Sequence, residues 1–237
     1  GYDLGMNTDG GFEEYIRIPA EWAVKLPENL SLKESMIYGT AGFTAALSVY
    51  KLLAADVERG NILVTGASGG VGSFASAILA KLGYEVTAAT GKTEAESYFN
   101  NLGVKNIIDR KEFEDDSGKM LLKEKWSGVI DTVGGNLLST AIKSTSYDGA
   151  VTCCGNAASA ELDLNVYPFI LRGVSLIGID SVQCKRNLRE VVWQKIATDW
   201  KLDQLDEFTT EVRLEDLDRQ IENMLAGNSK GRVIVKL

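Results

Sequence analysis

The alternation of apolar and polar positions divides the chain into an irregular amino-terminal part, a long regular block and a carboxy-terminal part. From residue 61 to residue 180, short apolar runs alternate with amphipathic stretches, many of them ending in glycine. Asn61–Thr65 is typical of a buried strand and residues 74–83 of a helix. Continuous apolar strands separated by helices indicate a parallel sheet with both faces covered. The pattern therefore predicts an α/β fold, a doubly wound parallel sheet of the Rossmann type.

Every segment of the regular block has a predicted state. The strands are predicted at residues 61–65, 84–90, 104–109, 128–134, 150–155 and 174–180. The helices are predicted at residues 74–83, 93–102, in a stretch that ends near Trp126, and at 137–145 and 166–173.

The two flanks have a different composition from the block. Residues 12–25 are rich in aromatic and β-branched side chains and predict two short strands that are interrupted at Pro19. Ser31 and Glu34 form a capping box that opens a helix, and a second apolar helix is predicted at 42–54. After residue 185, helices are predicted at 186–200 and 214–227, with strands at 208–212 and 233–236. We expect three units, at residues 1–40, 41–182 and 183–237.

Composition removes several classes of function. The net charge is −8 without a basic cluster, which argues against nucleic acid and anionic membranes as partners. No apolar run reaches 18 residues and no secretory signal is present, so a cytoplasmic protein is expected. Histidine is absent, which removes the commonest general base and the Ser–His and Cys–His arrangements of hydrolases. Cys153, Cys154 and Cys184 have no metal-ligand spacing, so no metal site is expected.

The strongest chemical signal is a glycine-rich loop between a predicted strand and a predicted helix. Four of the seven residues from Gly66 to Gly72 are glycine. Glycines let phosphate oxygens approach the main chain, and a helix amino terminus offers unpaired N–H groups to a pyrophosphate. The loop therefore predicts a nicotinamide dinucleotide site. Its candidate cofactor-binding residues are Ser68, Gly69, Gly70, Val71 and Gly72.

The end of the next predicted strand bears on the choice of cofactor. An NAD-specific site carries an acidic residue there, which accepts a hydrogen bond from the ribose 2′-hydroxyl. This chain has Thr90, Gly91 and Lys92 instead, which leave room for a phosphate and add a cation. The sequence therefore predicts NADP as the cofactor. Val133, Gly155, Ile179 and Ser181 lie at the ends of later strands, where such ligands bind.

Two dehydrogenase families have a loop of this kind. The short-chain dehydrogenases require Tyr-x-x-x-Lys downstream, and none of the four tyrosines after the loop has lysine four residues on. The chain instead resembles the medium-chain dehydrogenases/reductases, in particular their zinc-free quinone oxidoreductase branch and the subgroup that contains acrylyl-CoA reductase. The resemblance rests on GGFEEYIRIPAEW, GTAGFTA, TGASGGVG, IDTVGG, PFILRGVSLIGIDSV and the final KGRVIVKL.

The resemblance implies more than the loop does. Family members carry a barrel-like (GroES-like) catalytic domain, so the flanks are interpreted as remnants of that domain, whose amino-terminal part is expected to be missing here. The resemblance also implies that Thr44 orients the inner end of the cofactor and that Arg110 lies against the adenine or the 2′-phosphate. It further implies a homodimer through the edge strand at 174–180. No catalytic residue is assigned.

Two functions remain open from the sequence. The first is an NADPH-dependent oxidoreductase that reduces a small-molecule acceptor, either a quinone or an activated C=C bond in an enone or enoyl thioester. The second is a non-catalytic NADPH-binding module or an inactive fragment of such an enzyme. Hydride transfer needs no protein nucleophile, because the nicotinamide carries the reactive hydrogen. Turnover of a quinone with NADPH would distinguish the two functions.

Overall fold

The computed structural model describes residues 1–2 and 4–237. Within them the strands are β1 (Asn61–Thr65), β2 (Glu85–Thr90), β3 (Asn106–Asp109), β4 (Trp126–Asp131), β5 (Thr145–Cys153), β6 (Ser175–Gly178), β7 (Thr209–Arg213) and β8 (Arg232–Lys236). The α-helices are α1 (Leu32–Ala54), α2 (Gly70–Lys81), α3 (Glu96–Asn101), α4 (Arg110–Phe113), α5 (Gly135–Lys143), α6 (Tyr167–Arg172), α7 (Arg186–Ala197) and α8 (Leu217–Leu225).

The first six strands form one parallel sheet in the order β3-β2-β1-β4-β5-β6. This order confirms the predicted doubly wound Rossmann fold. The chain runs outward from β1 in one direction and from β4 in the other, so the order reverses between these two neighbours. In such sheets the crevice outside the carboxyl ends of the strands at the reversal is the usual ligand site. The strands β7 and β8 form a separate two-stranded parallel sheet.

The helix α1 covers two predicted helices, the one that the capping box opens and the one at 42–54. Its amino terminus carries the predicted capping box, with the Ser31 side chain accepting from the Glu34 N–H at 3.1 Å and the reciprocal bond at 2.7 Å. A kink at Gly39 (φ 48°, ψ −151°) separates the two halves. These torsions are open to glycine and strained for other residues. The half that follows the kink contains buried residues on most of its surface, and the helix packs against α2, α7 and the strands β4 and β5.

Aromatic side chains join the flanks to the sheet. The Phe74 ring on α2 lies 5.1 Å from the ring of Tyr38 and 5.0 Å from that of Phe208, just before β7. The Tyr38 hydroxyl accepts a hydrogen bond from the Leu202 N–H at 2.9 Å. Burial of this hydroxyl raises the pKa of Tyr38 to about 12, so the group is a neutral core contact.

The prediction of two strands in residues 12–25 is wrong. The segment is irregular apart from a short 3-10 turn at Ala20–Trp22. Phe12 and Tyr15 are exposed. A single extended segment is not stable without a neighbouring strand, and no described residue pairs with this one in a ladder. The segment therefore forms no strand, despite its β-forming composition.

The predicted helix ending near Trp126 is also wrong. The helix α4 has four residues, the chain is irregular from residue 114 to 125, and Trp126 begins β4. The backbone groups that a helix would use bond elsewhere: the Leu122 N–H donates to the Lys143 carbonyl at 3.0 Å. The Leu122 carbonyl accepts from Arg172 at 2.6 Å. Contacts with the end of α5 thus replace the local helix.

The remaining elements occur where they were predicted, with shifted ends. The helix α2 begins at Gly70 rather than at residue 74, and α3 begins at Glu96 rather than at residue 93. The strand β5 begins earlier, at Thr145. None of the helices in the described part of the chain combines the length and the apolar character that crossing a membrane requires.

Candidate cofactor site

The glycine turn lies between β1 and α2, at the point where the strand order reverses. Gly66 has a φ of +58°, and Gly69 caps α2 with extended torsions and no side-chain bond. The N–H groups at the start of a helix lack intrahelical partners, so Gly70, Val71 and Gly72 present theirs at this edge. A Cβ on Gly72 would lie 2.4 Å from the Gly66 carbonyl oxygen, so only glycine lets the helix pack this close to the turn. A helix start with unpaired N–H groups of this kind is suited to an anion.

The end of β2 lies beside the turn. The Thr90 hydroxyl donates to the Ser68 hydroxyl at 3.2 Å and accepts from the Lys92 N–H at 3.1 Å. The Arg110 guanidinium lies over Gly91, since a Cβ there would be 3.0 Å from its Nε. Ser68, Thr90 and Arg110 are at least 20 positions from one another in the sequence. The structure nevertheless brings all five predicted residues together. We refer to this group, Ser68, Thr90, Gly91, Lys92 and Arg110, as the outer cluster.

The loop before β8 closes over the outer cluster. The Lys92 ammonium donates to the Ser229 carbonyl, and the Gly231 N–H donates to the Ser68 carbonyl at 3.1 Å. Lys230 lies 5.9 Å from the ring centroid of Tyr98. Burial and then the charge of Lys230 lower the pKa of Lys92 from its usual value. The ammonium groups of Lys92 and Lys230 thus repel each other. Neither forms a salt bridge within the described residues.

Arg232 is a further cation that the sequence analysis missed. Its Nε donates to the Ile37 carbonyl at 3.3 Å, a group just before the kink in α1. Its guanidinium occupies the space that a Cβ on Gly39 would need, 3.0 Å away, and its Cδ lies 3.3 Å from a Cβ placed on Gly70. Burial lowers the pKa of Arg232. The arginine therefore lies beside the start of α2, without a carboxylate partner among the described residues.

A signal for Lys230 and Arg232 was present in the sequence. Both belong to the stretch Lys230-Gly231-Arg232, two cations around a glycine directly before a strand. From the pattern alone this stretch predicted only the entry to the last strand. Its relation to the glycine turn depends on contacts across more than 150 positions, which periodicity does not report.

Thr44 and Ser181 lie together beyond the carboxyl end of β6. We refer to the edge of the sheet at the carboxyl ends of its strands, from the outer cluster to this pair, as the groove. Their hydroxyls are 2.8 Å apart, and Thr44 also donates to the Thr40 carbonyl at 2.7 Å. The Ser181 carbonyl accepts from Arg189 at 2.9 Å. The Ile179 N–H donates to the Cys153 carbonyl at 2.9 Å, which extends the ladder beyond β6. We refer to Thr44, Val133, Gly155, Ile179 and Ser181 as the inner cluster.

Val133 and Gly155 complete the inner cluster at the ends of β4 and β5. The Val133 N–H donates to the Asp131 carboxylate at 3.3 Å, and its carbonyl accepts from Ala158 at 2.9 Å. A Cβ on Gly155 would lie 2.2 Å from the Thr132 carbonyl oxygen, so the two turns touch through their backbones. The N–H and carbonyl groups of Val133 both bond within the protein, so only its side chain is left to contact a ligand.

A cavity of about 460 Å³ adjoins the inner cluster. Thr40, Phe43 and Ser181 line its inner side. Its outer side is largely apolar and is formed by Trp22, Val24, Leu26, Met36 and Trp193. Such a cavity can hold a small apolar molecule next to the two hydroxyls.

The cysteines at the end of β5 are held as neutral thiols. Burial raises the pKa of Cys154 to about 12, and burial also raises that of Cys153. The Cys154 thiol donates to the Asp131 carbonyl at 3.4 Å. Neither thiol has the lowered pKa that a reactive cysteine needs.

A doubly wound sheet with a glycine turn at its reversal point and cations around it defines the Rossmann-type domain of an oxidoreductase. A family model described as zinc-binding dehydrogenase matches residues 70–198. The Bacillus subtilis protein YhfP is 47% identical over 239 residues, which cover 100% of this chain and 72% of YhfP. The acrylyl-CoA reductase AcuI of Ruegeria pomeroyi is 41% identical over 237 residues, which cover 99% of this chain and 72% of AcuI.

Solved structures agree with these sequence relatives. The yhdH oxidoreductase of Salmonella enterica, in complex with NADP, has a TM-score of 0.97 at 39% identity and covers 100% of this chain and 73% of its own. The structure of Bacillus subtilis YhfP with NAD bound has a TM-score of 0.96, with coverage of 100% and 73%. The chain therefore belongs to the medium-chain dehydrogenase/reductase family, as its motifs predicted, and its relatives are oxidoreductases.

Proposed function

We propose that this chain binds NADPH and that the protein transfers its hydride to a small-molecule acceptor. The observation that carries the proposal is the groove between the two clusters, with the glycine turn and the start of α2 at its centre. Lys92, Lys230 and Arg232 surround that turn and form no ion pair within the described residues. A polyanion fits this donor set, and the NADP complex of the yhdH oxidoreductase supports the choice.

Each part of the groove has its own task in this proposal. The N–H groups of Gly70, Val71 and Gly72 hold the pyrophosphate, and Arg232 adds charge beside them. Lys92 and Lys230, with Arg110 nearby, hold the 2′-phosphate, where Thr90 and Gly91 leave space. Thr44 and Ser181 orient the nicotinamide end. When bound, NADPH supplies the hydride.

The acceptor occupies the cavity beside Thr44 and Ser181. Its apolar walls suit a quinone or an activated C=C bond in an enone or enoyl thioester. The names of two relatives support this range, since AcuI is an acrylyl-CoA reductase and YhfP is named among the quinone oxidoreductases. No side chain in the cavity is assigned as a proton donor.

We further propose that the reaction needs no zinc, although the matching family model is named for zinc. The 237 residues contain no histidine, and Cys153 ends β5 whereas Cys184 lies in the loop before α7. The three free thiols support a reducing compartment, the cytoplasm.

A homodimer through β6 is also proposed. The strand β6 is the last in the sheet and pairs only with β5 within the described residues. The preceding helix α6 exposes Ile170 at 66% and Leu171 at 56%, an apolar surface next to an open strand edge. Such edges are normally covered. A molar mass of one chain at high micromolar concentration, measured by light scattering, would contradict the dimer.

The alternative is a binding module without turnover. Two measurements separate the functions: a fluorescence titration with NADPH, and the consumption of NADPH with a small quinone or an enoyl thioester as acceptor. We expect NADPH binding, with turnover that is slow but above the rate without protein. Binding without turnover on either acceptor would favour the module, and absence of binding would reject both functions.

A further inference from the structure

The buried carboxylate of Asp131 has no task in the proposed function, although it lies under the groove. Asp131 is the last residue of β4 and is fully buried. Thr65 donates to its Oδ1 at 2.6 Å, and the N–H groups of Val133 and Gly134 donate to its Oδ2 at 3.3 and 2.9 Å. No described lysine or arginine forms a salt bridge with it. It is an acceptor surrounded by donors.

These bonds connect two turns that are distant in the sequence. Thr65 ends β1 directly before the glycine turn, and its hydroxyl also accepts from the Thr132 N–H at 3.0 Å. The Thr132 hydroxyl donates back to the Thr65 carbonyl at 2.9 Å. A Cβ on Gly66 would lie 2.3 Å from that hydroxyl, so the Thr132 side chain lies directly under the glycine turn. The carboxylate thus fixes the position of the turn after β4 relative to the turn after β1.

The turn after β4 in turn supports the turn after β5. The Val133 carbonyl accepts from Ala158, and Gly155 touches the Thr132 backbone. The ends of β1, β4 and β5 are therefore connected around the Asp131 side chain. The outer cluster has a further set of bonds of its own, among Ser68, Thr90, Lys92 and the loop before β8.

We propose that Asp131 is a positioning residue that sets the turns under the nicotinamide half of the cofactor and leaves the adenosine half unaffected. This inference rests on the proposed function. An ionised carboxylate suits the task because it only accepts hydrogen bonds. An amide in its place would direct an N–H group at one of the three donors and leave it without an acceptor. The turns at 132–134 and 155–158 would then shift.

The test compares a whole ligand with half of it. NADPH and adenosine 2′,5′-bisphosphate, which lacks the nicotinamide half, are titrated against the unmodified chain and against Asp131→Asn. We expect the variant to bind NADPH about tenfold more weakly and the bisphosphate within about twofold, since a tenfold change equals about 1.4 kcal/mol. Asp115→Asn, which changes a carboxylate remote from the groove, should bind both ligands within about twofold of the unmodified chain.

A second variant keeps the test possible if Asp131→Asn does not fold. Thr65→Val removes a donor to Asp131 and leaves the carboxylate in place, and the same selective loss of NADPH affinity is expected in smaller size. Equal losses for both ligands, or no loss for either, would overturn the positioning role. If the unmodified chain binds the bisphosphate and NADPH, the proposed cofactor binding stands whichever way these variants behave. If it binds neither, the proposed function fails first.

Discussion

The two ends of the candidate groove are built in different ways. The outer end is cationic and closes with a loop from the far carboxy terminus, where Lys92 bonds to Ser229 and Gly231 bonds to Ser68. At the inner end Thr44 and Ser181 meet through hydroxyls, and the charges next to them, Asp131 and Arg189, are both buried. Affinity for a charged cofactor should therefore depend on the outer end, and the placement of its reactive half on the inner end. The predictions below test that division.

The largest effect is expected between the two ends, at the turn that both share. In Gly72→Ala the new Cβ would lie 2.4 Å from the Gly66 carbonyl oxygen, and neither backbone can move without the other. We expect overpacking to cost about 1–3 kcal/mol of stability, and misplacement of α2 to weaken NADPH binding by more than about tenfold, which equals about 1.4 kcal/mol. Thermal unfolding and a fluorescence titration would measure the two losses.

The control for this change is Gly11→Ala. Its new Cβ meets only the Ile16 side chain at 3.9 Å, an ordinary contact. The melting temperature and the NADPH affinity of this control should stay at the values of the unmodified chain. Normal NADPH affinity in Gly72→Ala would show that the start of α2 does not contact the cofactor.

The next effect concerns the outer end alone. We expect NADPH to bind at least about tenfold more tightly than NADH, which corresponds to about 1.4 kcal/mol. Lys92→Asp should abolish or reverse the preference, because it replaces a cation beside Lys230 with an anion. The exposed Lys105→Met serves as a control for the loss of one positive charge. The NAD found in the YhfP structure makes the comparison informative: equal affinities of the unmodified chain for both cofactors would contradict the assignment of Lys92.

Sequence and structure agree best where the signal is local. The glycine turn, its strand and its helix are neighbours in the chain, and their pattern predicted their relation. The parallel, doubly wound sheet followed from the alternation of strands and helices. Residues 12–25 and 114–125 were predicted wrongly because their state depends on partners elsewhere: an absent ladder in one case, the end of α5 in the other. The boundaries at residues 40 and 182 and the individual site residues stay predictions.

The inner end should give a smaller effect than the outer end. Thr44→Val keeps the shape of the side chain and removes the hydroxyl that meets Ser181. The loss of one neutral hydrogen bond costs about 0.5–1.5 kcal/mol, so NADPH should bind about threefold to tenfold more weakly, with adenosine 2′,5′-bisphosphate unchanged. Thr87→Val is the matched control, because its buried hydroxyl bonds to Asn61 away from the groove. An equal loss in both variants would remove Thr44 from the site.

Asp115→Asn should have the smallest effect on cofactor binding, a change in NADPH affinity of no more than about twofold. It should lower the stability of the fold instead. The Lys143 ammonium lies 2.7 Å from the Asp115 carboxylate and, by its hydrogen bond, lowers the pKa of Asp115 to about 2. Because the folded state lowers this pKa below its usual value of 3.8, the ion pair stabilises the fold fully above that value. The contribution disappears as the pH falls through about 2.

Hydrogen bonds to charged groups contribute about 1.5–3 kcal/mol, so chemical denaturation at pH 7 should show a loss of that order in the variant. The difference from the unmodified chain should shrink as the pH is lowered from 4 towards 2. A difference that is independent of pH over this range would show that the charge of Asp115 does not hold residues 114–125 against α5.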